Sequence, residues 1–94
     1  MLNKPREECG VFAVYSKETT DVASMAYFAL YALQHRGQES CGIVVNDKGV
    51  LSHHKDLGLV PEVFTQEKLD KLGTGNIAIG HVRYSTTGKP NRSN

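Results

Sequence analysis

Apolar positions along the chain form short runs, which predict strands, and one longer stretch, which predicts a helix. Residues 9–16 (CGVFAVYS) and 75–86 (GNIAIGHVRYST) are rich in Val, Ile, Phe and Tyr, as buried strands are. Residues 41–58 predict two further strands joined by a turn at 46–49, because Asp and Gly tolerate the backbone angles of a hairpin. We expect residues 17–21 (KETTD) to interrupt the first strand.

Two stretches predict helices. Residues 21–36 (DVASMAYFALYALQHR) are good helix formers, with an Asp or Thr at the start (Asp21 or Thr20) as a candidate N-cap and Gly37 as a candidate C-terminal cap. Since apolar residues surround nearly the whole circumference of this helix, we expect it to be buried between layers. Residues 60–73 predict a weaker helix with a proline near its start and a glycine near its end.

The order of these elements indicates the fold class. A strand, a helix, a hairpin, a short helix and a strand give more than one strand per helix. This favours a layered α+β sandwich over a strictly alternating, doubly wound α/β sheet. Residues 87–94 (TGKPNRSN) predict a loop. Because the sequence stops in this polar loop directly after a strand, we expect the chain to be part of a longer fold.

Composition and charge exclude several classes of function. The chain has 94 residues, 11 basic and 10 acidic side chains and a net charge of +1. Nucleic acids and anionic membranes require concentrated positive charge, so neither is expected as a partner. The polar start (MLNKPREE) lacks the apolar run of a signal peptide, and two cysteines are too few for a secreted disulfide framework. We therefore expect a cytoplasmic protein.

Cys9 has two interpretations. As a small apolar residue at the start of a strand, it would be an ordinary buried cysteine. Alternatively, residues 1–8 are a removable leader, and cleavage after Glu8 would make Cys9 the N-terminal residue. Its α-amine, with a pKa of about 8, could then act as a general base for its own thiol. Spacing alone leaves both interpretations open.

Three blocks carry a resemblance to a known family. They are EECGVF at 7–12, LQHRGQESCGI at 33–43 and GHVRYSTTG at 80–88. Together they resemble the start of the class-II, N-terminal nucleophile (Ntn) glutamine amidotransferases. Within that superfamily they are most similar to the amidophosphoribosyltransferase family of purine synthesis. The resemblance implies a partial Ntn-hydrolase-like αββα sandwich with mostly antiparallel sheets, in which 1–8 is a propeptide and 9–94 the first part of the amidotransferase domain.

The resemblance also implies roles for individual residues. Cys9 would be the nucleophile that attacks the side-chain amide of glutamine. Arg83 would hold the glutamine α-carboxylate, a role that suits a planar guanidinium with paired donors. Thr86 would assist at the same carboxylate, while Arg36 and Gly37 would belong to a loop beside the nucleophile. The Asn-Gly pair that supplies oxyanion donors in this family is absent, so we expect the 94 residues alone to be inactive.

Three further residues are candidates for binding chemistry but have simpler interpretations. His81 shares a strand face with Arg83, and we interpret it as structural. His53 and His54 are adjacent, so on a strand they would face opposite ways and could not chelate one ion. Cys41 is interpreted as a packed strand cysteine. No metal site is expected in this segment.

Cofactors and partners follow from the resemblance alone. It implies Mg²⁺, and for some members a 4Fe-4S cluster, in the full-length enzyme, although two cysteines cannot ligate such a cluster. The expected partners are glutamine, phosphoribosyl pyrophosphate held by a C-terminal domain, and further copies of the full-length chain. Ammonia from glutamine would give 5-phosphoribosylamine, glutamate and pyrophosphate. Two alternatives stay open: a hexosamine-forming class-II amidotransferase, and a shortened, non-catalytic homologue that binds glutamine or a partner protein.

Overall fold

The computed structural model describes residues 8–33 and 38–84, which form a sheet with helices on one of its faces. The strands are β1 (Glu8–Thr20), β2 (Gln38–Asp47), β3 (Val50–Leu57) and β4 (Gly75–Tyr84). The helices are α1 (Val22–Leu33), α2 (Val60–Val63) and α3 (Gln66–Leu72). Neighbouring strands are antiparallel, in the spatial order β1-β4-β2-β3. The predicted α+β class with an antiparallel sheet is therefore confirmed.

Strand β1 is longer than the sequence predicts. The KETT segment, expected to end the strand, continues it to Thr20. The pairing with β4 is regular up to Tyr15, shifts, and resumes where Thr20 lies opposite Gly75. Such an irregularity accommodates extra residues within a strand, so polar residues that resemble a break remain part of the sheet.

Helix α1 begins where the sequence indicates. The Asp21 carboxylate accepts hydrogen bonds from the Ser24 backbone N–H at 3.1 Å and the Ser24 hydroxyl at 2.8 Å, which confirms the predicted N-cap. The helix is described as far as Leu33, and the predicted continuation to Arg36 lies outside the described residues.

The predicted hairpin is confirmed, with its tip at Lys48 and Gly49. Their φ angles are 55° and 94°, as a two-residue turn with both central residues at positive φ requires. The Asn46 side-chain oxygen accepts a hydrogen bond of 2.7 Å from the Gly49 N–H. We expected Asp47 near the tip to adopt such angles, but Lys48 does so instead, and Asp47 is the last residue of β2.

The weaker helix predicted over 60–73 is divided in two. Pro61 lies in the first turn of α2, which ends at Val63. Thr65 then caps α3, since its hydroxyl accepts a hydrogen bond of 3.4 Å from the Lys68 N–H. A side-chain cap inside a helical stretch starts a new helix, which the apolar periodicity alone does not reveal.

The core lies between the helices and one face of the sheet, here called the helix face. It contains alternate residues of β2 and β4 together with the inner side of α1, namely Cys41, Ile43, Val45, Ala78, Val82, Val22, Ala23, Ala26 and Leu30, each at most 1% exposed. Within residues 8–33 and 38–84 the other face of the sheet, here called the open face, carries exposed apolar residues, among them Val11, Tyr15, Leu51 and Ile79.

The expectation that α1 is buried between layers is wrong for the described residues. Met25, Phe28 and Tyr31 on its outer side are 45%, 67% and 52% exposed, because the sheet covers only the side opposite them. The described residues thus form one helical layer and one sheet. In the same part of the chain, no helix has the length and apolar character needed to cross a membrane.

Candidate functional site

The pairing of β1 with β4 brings together the two residues that the sequence places at the centre of the site. Cys9 lies directly opposite Arg83 in the antiparallel register. Directly opposite positions of an antiparallel pair lie on the same face of the sheet, with Cβ atoms about 5 Å apart. Val11, two residues after Cys9, is exposed on the open face, so positions 9 and 83 belong to that face.

Strand β2 extends this row of residues across the sheet. Ser40 pairs with Arg83 from the other side, so Arg83 lies between β1 and β2. A cavity of about 540 Å³ adjoins the row, and its lining includes Ser40, Lys55, His81 and Arg83. The lining thus carries hydroxyl, ammonium, imidazole and guanidinium groups, together with the carboxylate of Asp56. The set can bind a small molecule that carries a carboxylate.

Ser40 and Lys55 were not singled out by sequence reasoning. Ser40 lies within the block at 33–43, but the resemblance assigned it no role, and Lys55 lies outside the three blocks. The position of both residues near Arg83 depends on long-range strand pairing. Alternation along β2 and β3 could have indicated their face, but not their neighbours.

His81 lies on the same face as Arg83, as predicted, and packs against β2. It is half-buried, and a Cβ atom at Gly42 would lie 2.6 Å from its Nε2. The imidazole thus occupies the space that a side chain at position 42 would need. This packing agrees with a structural role for His81.

The remaining candidate residues divide into those that the structure places and those that it does not. Cys41 is fully buried, with its Sγ 3.8 Å from the Gly58 carbonyl oxygen, which confirms the packed cysteine. Arg36, Gly37 and Thr86 lie outside the described residues, and their roles stay predictions.

The two histidines of β3 lie on opposite faces of the sheet, as expected. Residues 8–33 and 38–84 contain no group of three or more His, Cys, Asp or Glu residues arranged to hold an ion. His54 packs edge-on against Phe64, with ring centroids 5.6 Å apart, while His53 is exposed on the open face. A cubane iron–sulfur cluster needs four thiolates, whereas this segment has two cysteines, of which Cys41 is buried in the core.

Comparison with known proteins identifies the chain's relatives. No family profile matches it. It is 52% identical over 92 residues to the amidophosphoribosyltransferase of Synechocystis sp., which covers 98% of this chain and 18% of the relative. The Mycobacterium tuberculosis amidophosphoribosyltransferase is 56% identical over 87 residues, covering 93% of this chain and 16% of the relative. The chain thus spans less than a fifth of the length of these relatives.

Solved structures agree with the sequence relatives. A structure described as the allosteric regulatory enzyme of purine biosynthesis superimposes with a TM-score of 0.72 and 46% identity, covering 84% of this chain and 16% of that one. Glutamine phosphoribosylpyrophosphate amidotransferase from B. subtilis, complexed with ADP and GMP, gives a TM-score of 0.66 and 45% identity over 80% of this chain and 16% of its own. The chain is therefore similar, over nearly its whole length, to a segment of enzymes named amidophosphoribosyltransferase.

Proposed function

We propose that this chain supplies the nucleophile and part of the glutamine-binding surface of the glutaminase site in an amidophosphoribosyltransferase. The observation that carries the proposal is the register of β1 and β4, which sets Cys9 opposite Arg83 on the open face. Glutamine has an α-carboxylate at one end and a carboxamide at the other. A cation and a thiol on adjacent strands match these two ends. Relatives named amidophosphoribosyltransferase are identical to this chain at more than half of the aligned residues.

The proposed reaction is acyl transfer to the Cys9 sulfur. Its thiolate attacks the carboxamide carbon, the C–N bond breaks, and the nitrogen leaves as ammonia after taking up the proton that the thiol lost. Water then hydrolyses the γ-glutamyl thioester, giving glutamate and the free thiol. The α-amine of Cys9 carries the proton between these steps, since an amine with a pKa of about 8 can act as base and acid near neutral pH. This requires cleavage of residues 1–8.

Arg83 is the proposed anchor of the substrate. Two parallel N–H donors of a guanidinium match the two oxygens of the glutamine α-carboxylate. Thr86 assists at the same group, and Arg36 and Gly37 border the nucleophile, as the family resemblance implies. Ammonia then passes to phosphoribosyl pyrophosphate and yields 5-phosphoribosylamine and pyrophosphate. Phosphoribosyl pyrophosphate with its Mg²⁺, oligomer formation and a cytoplasmic location belong to the same proposal.

The test compares glutamine with ammonia as the nitrogen donor in the full-length enzyme that contains this chain. Cys9→Ala should lower glutamine-dependent synthesis of phosphoribosylamine at least about 1,000-fold, because the nucleophile is lost. Synthesis from added ammonia should remain, since that route bypasses the thioester. Cys41→Ala is the matched control, because it removes the other cysteine of the chain from a buried position away from the open face. Unchanged glutamine-dependent synthesis in Cys9→Ala would refute the proposal.

Arg83→Lys tests the substrate anchor. Losing a charge-assisted, paired hydrogen bond costs about 1.5 to 3 kcal/mol, so the KM for glutamine should rise about 10- to 150-fold. The ammonia-dependent rate should stay at the wild-type value. Equal losses with both nitrogen donors would show that Arg83 supports the fold and not the substrate.

The proposed leader is tested by intact mass spectrometry of the active protein. Cleavage between Glu8 and Cys9 should leave Cys9 at the N-terminus, and Cys9→Ala should retain residues 1–8 if the thiol performs the cleavage. Full activity in protein that still carries residues 1–8 would exclude the α-amine as the base.

A further inference from the structure

We infer that Leu33 is a positioning residue of the proposed glutaminase site. It is the last described residue of α1, and it joins this end of the helix to the strand of Cys9 and to the strand of Arg83. The inference rests on the proposed function, but the contacts that support it are independent of the family resemblance.

The first contact is between the Leu33 side chain and Gly10, the residue directly after Cys9. A Cβ atom at position 10 would lie 3.3 Å from Leu33 Cδ1 and 3.1 Å from Val82 Cγ2, tighter than ordinary van der Waals contact. Leu33 therefore fills the place where a side chain of residue 10 would be. The end of α1 reaches this close to the nucleophile's strand only because residue 10 is a glycine.

The second contact ties the backbone of Leu33 to β4. The hydroxyl of Tyr84, the residue directly after Arg83, donates a hydrogen bond to the Leu33 carbonyl oxygen. This bond ties the backbone of α1 directly to the strand that carries Arg83. Tyr84 is only 9% exposed, and its packing restricts the position of the hydroxyl.

The two contacts hold Leu33 against the direct neighbours of both candidate site residues. Leu33 lies against the neighbour of Cys9 through its side chain and is bonded to the neighbour of Arg83 through its carbonyl. A shift of Leu33 would disturb Gly10 and Tyr84, the direct neighbours of Cys9 and Arg83. A displacement of about 1 Å at a reacting site can cost about 100-fold in rate.

Leu33→Ala in the full-length enzyme is the principal test. The KM for glutamine should rise about 10- to 100-fold, whereas synthesis from ammonia should stay within about twofold of the wild type. Leu33→Val, which removes less of the contact and disturbs the fold less, should give an intermediate KM. The control is Leu72→Ala, which removes a more buried leucine, 4% exposed, at the end of α3. Leu72 lies three residues before the start of β4, whereas Tyr84 lies at the other end of that strand, about 30 Å from its start. Leu72→Ala therefore disturbs the core far from Leu33 and Tyr84.

Gly10→Ala gives an independent test, because the added methyl group would push against Leu33 as well as Val82. Gly10→Ala alone should raise the KM for glutamine, and combining it with Leu33→Ala should give a smaller loss than the product of the two single effects, since the second change makes room for the methyl group.

Equal KM changes in Leu33→Ala and Leu72→Ala, or multiplicative effects in the double variant, would overturn the inference. A wild-type full-length enzyme without glutamine-dependent activity would instead refute the proposed function, so the two failures are distinguishable.

Discussion

Gly80→Ala tests the packing of α1 on the sheet. Gly80 lies on the helix face of β4, and a Cβ atom there would be 2.9, 3.0 and 3.1 Å from the Cδ1, Cγ and Cδ2 atoms of Leu30. Normal carbon–carbon contacts are about 3.5 to 4.0 Å, so three atoms of one side chain would be too close. Leu30 is fully buried and cannot swing into solvent. Either α1 or β4 has to move.

The expected cost follows from these distances. Forcing an extra methyl group into a packed core costs about 1 to 3 kcal/mol. Replacing glycine by alanine in a strand returns about 0.5 to 1 kcal/mol, because the unfolded chain loses less freedom on folding. We therefore expect Gly80→Ala to lower the free energy of unfolding by up to about 2.5 kcal/mol. Ala78, two residues earlier on the same face and fully buried, shows that a methyl group fits where α1 does not approach so closely.

Amide hydrogen exchange of the full chain, followed by mass spectrometry, measures this loss locally. Peptides from α1 and β4 should exchange faster by the factor that corresponds to the lost free energy. A double-mutant cycle identifies the cause: Leu30→Ala should cost less in Gly80→Ala than in the wild type by about 1 kcal/mol or more, since it removes the atoms that clash. Additivity within about 0.5 kcal/mol would refute the steric explanation.

Three further changes test local features by the same exchange measurement. Asp21→Ala should destabilise α1 by about 0.5 to 2 kcal/mol and Asp21→Asn by far less, because only alanine lacks an oxygen for the Ser24 N–H; equal losses would exclude capping. Gly49→Ala should destabilise the β2–β3 hairpin by about 1 to 2 kcal/mol, since a residue with a Cβ is strained at a φ of 94°. Lys48→Asn should stabilise the hairpin by about 0.5 kcal/mol, because asparagine tolerates a φ of 55° better than lysine does; a loss of protection would contradict this.

Elements with a strong local signal were predictable from the sequence. The hairpin at 46–49 and the start of α1 at Asp21 depend on side chains close in sequence, so neighbouring residues suffice to predict them. The division of 60–73 at Thr65 and the continuation of β1 through KETT were not foreseen. Both depend on competition between local hydrogen bonds and the rest of the fold, which the apolar pattern does not measure.

The exposure of the outer side of α1 shows a different limit of prediction from the sequence. Its apolar character correctly indicated a helix with little polar surface, but the described residues cover only one side of it. On the exposed side, Tyr27 and Phe28 form an edge-to-face pair with ring centroids 5.2 Å apart, and Tyr27 stacks with Tyr31 at 6.3 Å. Aromatic contacts within the helix thus bury part of a surface that the sheet cannot reach.

The candidate site required both motif and register. The motifs indicated Cys9 and Arg83, but their juxtaposition depends on the pairing of β1 with β4, and a slip of one residue would move position 9 to the helix face. Small residues under α1 oppose such a slip. Gly10 lies against Leu33 and Gly80 against Leu30, and a slip of β1 would bring Cys9 or Val11 beneath Leu33, where even one added carbon would make a short contact. Gly10, which admits the described end of α1, therefore also helps to keep the proposed nucleophile opposite its proposed substrate anchor.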